Sequence, residues 1–337
     1  MISNKLLDEY NRINPAFKKL YIVPLINYHI KNSDYLYLLY KPILENKSVE
    51  IINLSAASHY KLLGAGIKES ILHYHWFEVT DIKSLLGIIW KTFWITLYKI
   101  LGGKIIWTIH NKFPHAGKYI TINKILRKYL ADLSSKLHVH CASAAGIMSP
   151  VLNVDKNKFF IVEHPYYPAK LMGKADAVTA LISGYPEIKI EESQKVFLSF
   201  GTIAEYKGLT ELIAIFKSKF NRHLLIIAGP VKKVNQEYYK QLIAASKGNR
   251  NIIVLGKIIP DEDVPYFFNS SDAVVFNYRD ILTSGGVILA LSYNKTTIAP
   301  SLGCLNEIKD KNLVLFKKDG SGSVNLQDTL LKLAEKK

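Results

Sequence analysis

The chain has 337 residues, 49% of them hydrophobic, and 44 Lys and Arg against 28 Asp and Glu give it a net charge of +16. That length suits two halves, each with enough apolar residues for its own core. The absence of low-complexity tracts and internal repeats excludes disordered and solenoid classes. Two cysteines, Cys141 and Cys304, fall in different halves and exclude a disulfide framework and a Cys-based zinc site. Residues 1–170 hold 22 basic and 11 acidic side chains. A basic surface attracts nucleic acid, anionic lipid or phosphorylated small molecules, with plain solubilising lysines as the alternative. The opening MISNKLLDEYNRINPAFKKL is polar and lacks the apolar core of an export signal, so the cytoplasm is the expected compartment.

In chain order, LYIVPLI (Leu20 to Ile26) reads as a strand, Asp34 to Leu44 as a helix, and VEIINL (Val49 to Leu54) and ILHYHW (Ile71 to Trp76) as strands. A long apolar helix follows Thr80, then the strand KIIWTI (Lys104 to Ile109), a basic helix over 119–135, the strand KLHVHC, a helix over 142–152 and the strand KFFIVE. Such alternation predicts a parallel sheet covered by helices. The run HPYYPAKLMGKADAVTALISGYPEIKIEESQ breaks it with Pro, Gly and polar residues. Alternation then resumes through VFLSFG, HLLIIAG, NIIVLG, AVVFN, TTIAP and NLVLF. The expected organisation is a first domain over 1–168, a connection over 169–194 and a second domain over 195–337. Both would be α/β, doubly wound and Rossmann-like, with a ligand crevice between them at the carboxyl ends of the strands.

FLSFGTIAEYKGLTELIAIF resembles the strand–loop–helix that opens the C-terminal domain of family 4 and related GT-B glycosyltransferases. NYRDILTSGGVILALSYNKTTIAP resembles the donor-binding loop and helix of bacterial polysaccharide glycosyltransferases, and VPLINYHIKNSDYLYLLYKPI, HYHWFE and WTIHNKFPH resemble their acceptor-side loops. The resemblance implies a hexosyltransferase on a GT-B fold, with two Rossmann-like domains facing each other across a cleft. It would use a UDP- or GDP-sugar as co-substrate and need neither metal nor another cofactor.

In that family a Gly-x5-Lys-Gly loop holds the donor pyrophosphate, which here is Gly201 to Gly208 with Lys207. A lysine and the amides of a helix start would neutralise the diphosphate that glycosyl transfer expels. The plain alternative is a surface lysine beside a turn glycine. The family's second basic residue is Thr202 here, leaving Arg279 as the candidate for that charge. Thr283, Ser284, Gly285 and Gly286 precede an apolar run and form either a phosphate cradle or an ordinary N-cap. Where relatives carry Glu-x7-Glu this chain has Ile281 and Leu289, with Asp280 the stand-in for the first.

The resemblance gives His110, at the end of a strand, contact with the donor sugar and the reaction centre. His73 and His75 share one strand face, and His75 is the candidate acceptor ligand. Glu78 and Asp81 are candidate bases for an inverting transfer, with Glu78 preferred and His115 less favoured; a helix N-terminal acid is the other reading of Asp81. Asn27, Tyr28 and Asn32 would bind acceptor hydroxyls, although turn chemistry also explains the asparagines. The nucleobase is expected near Gly256 to Pro260.

SLLGIIWKTFWITLYKILGG (Ser84 to Gly103) has three readings: a membrane span, a buried crossover helix, or a helix presenting Trp90, Phe93 or Trp94 to a bilayer interface. The function expected from all this is transfer of a sugar from a nucleotide diphosphate to a glycan or polyprenyl-diphosphate-linked acceptor in glycoconjugate biosynthesis. Peripheral contact with the inner membrane face would accompany it, with no nucleic-acid partner. The rivals are a nucleotide-sugar epimerase on the same fold and a non-catalytic protein that binds phosphorylated glycans.

Overall fold

A computed structural model describes residues 5–30, 33–45, 49–79, 81–113, 119–191, 193–318 and 324–335. Internal contacts divide the chain into two units, Met1–Pro165 and Tyr166–Lys337. The first unit contains α1 (Lys5–Ile13), β1 (Lys19–Val23), α2 (Tyr35–Leu44), β2 (Glu50–Asn53), β3 (Ser70–Tyr74) and α3 (Ile82–Ile100). It continues with β4 (Lys104–Thr108), α4 (Ile120–Leu133), β5 (Lys136–Val139), α5 (Ala142–Leu152) and β6 (Phe159–Ile161). Its strands form one parallel sheet in the order β2-β1-β3-β4-β5-β6.

The helix α1 lies where the sequence predicted only a polar start. Its KLLDEYNRI is short and charged, but Leu6, Leu7 and Tyr10 share one buried face against Leu20, Ile22 and Tyr40. Asp81 begins α3 as a capping box: its carboxylate accepts from Ser84 N and the Ser84 hydroxyl accepts from Asp81 N. Its candidate role as a base is thus replaced by a helix cap. No described helix is long and apolar enough to cross a membrane. Nor is α3 a wholly buried crossover: Ile88, Ile95 and Tyr98 face inward, while Ile82, Leu86, Ile89, Trp90 and Phe93 stand exposed along the opposite side.

The second unit contains α6 (Lys174–Gly184), β7 (Val196–Phe200), α7 (Leu209–Lys219), β8 (Leu224–Ala228), α8 (Gln236–Ser246) and β9 (Ile252–Leu255). Then come α9 (Val264–Ser270), β10 (Ala273–Val275), α10 (Gly285–Ser292), β11 (Thr296–Pro300), β12 (Leu313–Phe316) and α11 (Val324–Glu335). The sheet order is β12-β11-β10-β7-β8-β9, again all parallel. Along β7, Val196 and Leu198 enter one buried cluster and Phe197 the other, so the strand has no solvent face. The stretch 169–194, expected as a connection, belongs to this unit and includes α6. The prolines and glycines around it mask Ala177 and Leu181, which are fully buried where α6 packs on α9. The terminal helix α11 closes the same unit, its Leu326 and Leu330 buried beside Phe197 and Phe216.

The chain enters this sheet at β7, moves outward through β8 and β9, and returns on the other side of β7 with β10. The loops after β7 and β10 therefore diverge at a topological switch point, where doubly wound sheets bind ligands. Gly229 follows β8 with φ of +152°, and a Cβ there would lie 2.3 Å from the carbonyl oxygen of Gly201. That clash is with backbone and cannot relax by rotamer change. Gly229→Ala is expected to cost about 3 kcal/mol or more in urea unfolding. Gly87→Ala, inside α3 with nothing within 4 Å of the new methyl, is expected to gain ~0.5–1 kcal/mol. Equal midpoints for the two variants would refute the close approach.

Candidate functional site

Of the expected donor residues, Gly201 and Lys207 lie on the loop after β7, and Arg279, Asp280, Thr283, Ser284, Gly285 and Gly286 on the loop after β10 and the start of α10. The two loops are tied together. Asn277 Nδ2 donates to Gly208 O at 2.9 Å, Arg279 N donates to Tyr206 O at 2.7 Å, and the rings of Tyr206 and Tyr278 stack at 6.0 Å. Gly208 holds φ at +58°, and any Cβ would strike Asn277 O at 2.5 Å, so glycine is what lets the loops meet.

Lys207 is 6% exposed and its Nζ donates to Phe200 O at 3.1 Å. No carboxylate pairs with it among the described residues, and burial pushes its pKa down to about 7. An ammonium buried without a counter-ion is costly unless an anion arrives to share the site. Arg279 does not supply a free second charge: its exposed guanidinium is bound by Glu205 at 3.2 Å and by Glu211. The sequence motif hid this pairing because Glu205 and Glu211 flank Lys207 without any spacing that points to Arg279. Asp280 is exposed beside it.

Ser284 caps α10. Its hydroxyl accepts from Val287 N at 3.2 Å and pairs with the Tyr278 hydroxyl at 2.8 Å. The first intrahelical bond runs from Ile288 N to Ser284 O, so the amides of Gly285 and Gly286 precede it and stay available to an anion. A Cβ on Gly286 would press on Phe276 at 3.0 Å. Sequence reasoning missed Asn277 and Tyr278, whose roles depend on the switch point and have no motif. The triplet Asp261-Glu262-Asp263 precedes α9, where Asp263 accepts from the Tyr185 hydroxyl at 2.8 Å. No group of three or more metal-ligating side chains occurs among the described residues.

In the first unit the acceptor-side candidates separate. Asn27 makes an Asx turn, its Oδ1 accepting from His29 N at 3.0 Å. Tyr28 is exposed beside Tyr37. Glu78 meets the buried Arg127 at 3.6 Å, and Arg127 lies over Trp107 and donates to Asn111 O at 2.6 Å. That pair anchors α4 and the loop after β4 to the end of β3, a structural task that competes with service as a base. Asn32 and His115 lie outside the described residues.

His110 and His75 come together, with Nε2 and Nδ1 3.1 Å apart. Around them the carboxyl edge of the sheet gathers Tyr35, Trp76, His140 and His164, with Trp76 stacked on His110 at 4.6 Å. His73 and His138 continue the cluster inward through Thr108. The readable signal was the repeated i, i+2 spacing on adjacent strands: His73 and His75, Thr108 and His110, His138 and His140.

The region 186–291 matches the family described as glycosyl transferases group 1. The two-sheet architecture is that of the GT-B enzymes. It is similar to Anabaena HepE, solved with UDP and glucose, with a TM-score of 0.65 and 12% identity over 95% of this chain and 90% of that one. The sucrose-phosphate synthase of Thermosynechococcus elongatus gives a TM-score of 0.67 and 12% identity over 94% and 90%. An erythronate-4-phosphate dehydrogenase of Marinomonas sp. (strain MWYL1) is 26% identical over 45% of this chain and 41% of its own, so this chain spans about two fifths of that relative. Doubly wound sheets serve both chemistries, and this chain has no Gly-x-Gly-x-x-Gly sequence.

Burial lowers the pKa of His73, His75, His110, His138 and His140 well below the ordinary value and that of His164 to about 4. Below about pH 6.5 the unfolded chain takes up protons that the folded unit refuses. Stability is therefore full above that pH and is lost as pH falls, by about 1.4 kcal/mol per pH unit for each histidine kept neutral. All four tryptophans lie in the first unit, so urea titrations followed by Trp fluorescence are expected to show its midpoint falling steeply from pH 6.5 to 5. A flat midpoint would contradict the neutral cluster.

Proposed function

We propose that the chain moves a sugar from a nucleoside diphosphate donor to a hydroxyl of a glycan or lipid-linked glycan acceptor. Lys207 carries this reading: a buried ammonium without a carboxylate among the described residues, on a loop bonded to the one that leads into α10, in the region that matches the group 1 glycosyl transferases. In transfer the acceptor hydroxyl oxygen bonds to the anomeric carbon as that carbon's bond to the diphosphate oxygen breaks; the electron pair stays with the diphosphate, and the hydroxyl proton passes to the diphosphate or to water. Lys207 Nζ and the Gly285 and Gly286 amides meet that charge with fixed donors, and Tyr278 and Ser284 hold the helix start in place. Arg279 acts by fixing Glu205 and Glu211 around the loop. His110 is proposed as a ligand of the donor sugar contributed by the first unit.

The acceptor is proposed to be presented at a membrane surface. The exposed ridge of Ile82, Leu86, Ile89, Trp90 and Phe93 on α3 favours this, since isolated apolar residues are ordinary but a helical stripe marks an interaction face. Co-sedimentation with vesicles of equal phosphatidylglycerol and phosphatidylcholine is expected for the chain and strongly reduced for the Ile89→Glu, Phe93→Glu double variant. Equal sedimentation of the two would remove the membrane from the proposal.

Thermal unfolding against UDP, GDP and ADP tests the donor site. One diphosphate is expected to stabilise the protein by ~2.7 kcal/mol at a hundredfold excess over its Kd. Lys207→Met is expected to weaken that binding about tenfold or more. Because the ammonium must be charged to bind, affinity is also expected to fall by about tenfold per pH unit above pH 7. A folded protein that no diphosphate stabilises, or a Lys207→Met variant with unchanged affinity, would overturn the reading.

A further inference from the structure

Trp76 follows β3 at the carboxyl edge of the first sheet, and it is the part of the aromatic cluster there that stays open. One face of its indole lies on the His110 ring at 4.6 Å and 12°. Tyr35 meets it edge-on at 6.3 Å, and His75 packs against it at 5.7 Å. Even so, 43% of the residue is exposed. A planar group covered on one face keeps the other for solvent, so the indole presents a flat apolar surface whose tilt is already set. The other tryptophans serve differently. Trp107 is buried, lies under Arg127 and donates from Nε1 to His75 O at 3.0 Å, while Trp90 and Trp94 belong to α3. Trp76 Nε1 bonds to no described residue.

A single exposed apolar residue is ordinary, but the place of this one is not. The chain enters the sheet at β1, pairs outward to β2 and returns on the other side of β1 with β3, so the switch point lies between β1 and β3. Trp76 stands on the β3 side of it. On the β1 side is Tyr28, also exposed, its hydroxyl accepting from Asn53 Nδ2 at 3.3 Å. The surroundings are polar and uncharged: the ionisable side chains that act on His110 are His140 and His164, and burial holds all three neutral. No described cation lies over the indole, in contrast to Trp107. A phosphate would find neither a counter-charge nor a use for a flat face here. A pyranose ring suits both conditions, because its C–H groups form an apolar face that the negative face of an indole attracts. Its rim of hydroxyls calls for neutral polar groups around that face.

We propose that Trp76 is the floor of a subsite for an uncharged pyranose ring, which stacks its C–H face on the open side of the indole while His110 and Tyr35 hold the indole in plane. Trp76 then selects for a ring with an unbroken apolar face, and a ring whose axial hydroxyls interrupt that face stacks less well. The inference rests on the glycosyl-transfer reading, since it names the part of the substrate that this edge takes: a neutral sugar ring, of the acceptor or of the donor.

The test is fluorine NMR of the full chain labelled with 5-fluorotryptophan, the Trp76 resonance being assigned by its loss in Trp76→Phe. The chain is titrated at neutral pH with the methyl glycosides of glucose, galactose, mannose and N-acetylglucosamine. At least one glycoside is expected to shift the Trp76 resonance saturably and more than those of Trp90, Trp94 and Trp107. Glycerol, which has hydroxyls but no ring face, inorganic phosphate and uridine are expected to leave it in place. By ligand-observed saturation transfer, Trp76→Ala is expected to weaken glycoside binding about tenfold or more, and Trp76→Phe, which keeps a smaller aromatic face, by about two- to fivefold. Repetition with UDP-glucose, GDP-mannose and ADP-glucose added in turn separates the two sources. A glycoside displaced by one of them shares its place with the donor sugar, and one that none displaces lies in an acceptor place. The proposal is overturned if no glycoside moves Trp76 more than glycerol does, or if phosphate or uridine moves it as much. Unchanged glycoside affinity in Trp76→Ala overturns it too, and if that variant does not fold, unchanged affinity in Trp76→Phe does so. Glycoside binding by a chain that no nucleoside diphosphate stabilises would fall on the transfer reading and leave the subsite standing, and diphosphate binding without glycoside binding would do the reverse.

Discussion

A parallel strand covered on both faces has no wet side, and this constraint governs both units. A polar side chain inside is costly without a partner in the protein, and the carboxyl ends of the strands are where a ligand can supply one. The second unit follows the rule with apolar strands and places its exception, Lys207, at the switch point between β7 and β10. The first unit puts histidines inside, bonding His73 and His138 to Thr108 and His75 to His110 at a carboxyl edge.

The two sites differ in what keeps them ready. Lys207 is held by backbone: glycines at 201, 208 and 229 bring three loops within contact distance, and a carbonyl takes one ammonium proton. Its lowered pKa reflects the missing partner, and binding of a phosphate would reverse that shift. The first unit's histidines are held by side-chain hydrogen bonds already formed within the protein. Preorganisation of this kind is what transition-state charge stabilisation requires, because donors already in place need no reorganisation during the reaction.

Much of the fold was legible because fully buried parallel strands read as short apolar runs: VFLSFG, HLLIIAG and NIIVLG each fell on a strand. Both missed helices failed for one reason. The faces of α1 and α6 are only two or three apolar residues wide, and charge in one and Pro/Gly neighbours in the other obscured them. Lys207 was legible from its loop, but its burial was not, since burial depends on the β10 loop some seventy residues away. Arg279 was misjudged as a free charge because pairing with Glu205 and Glu211 depends on how two diverging loops cross. The histidine spacing on β3 was visible in HYHW, yet the ladder needed the register that sets Thr108 opposite His138.

The departures from the family pattern fit this division of labour. Where the resembling enzymes carry a carboxylate this chain has Ile281 and Leu289, and both pack against the apolar core, with Asp280 exposed beside them. The carboxylates that flank Lys207 in sequence, Glu205 and Glu211, are turned to the Arg279 guanidinium, and neither pairs with the ammonium. Arg279 thus holds both carboxylates on its own side of the crossing loops, and the lowered pKa of Lys207 is left with burial as its cause.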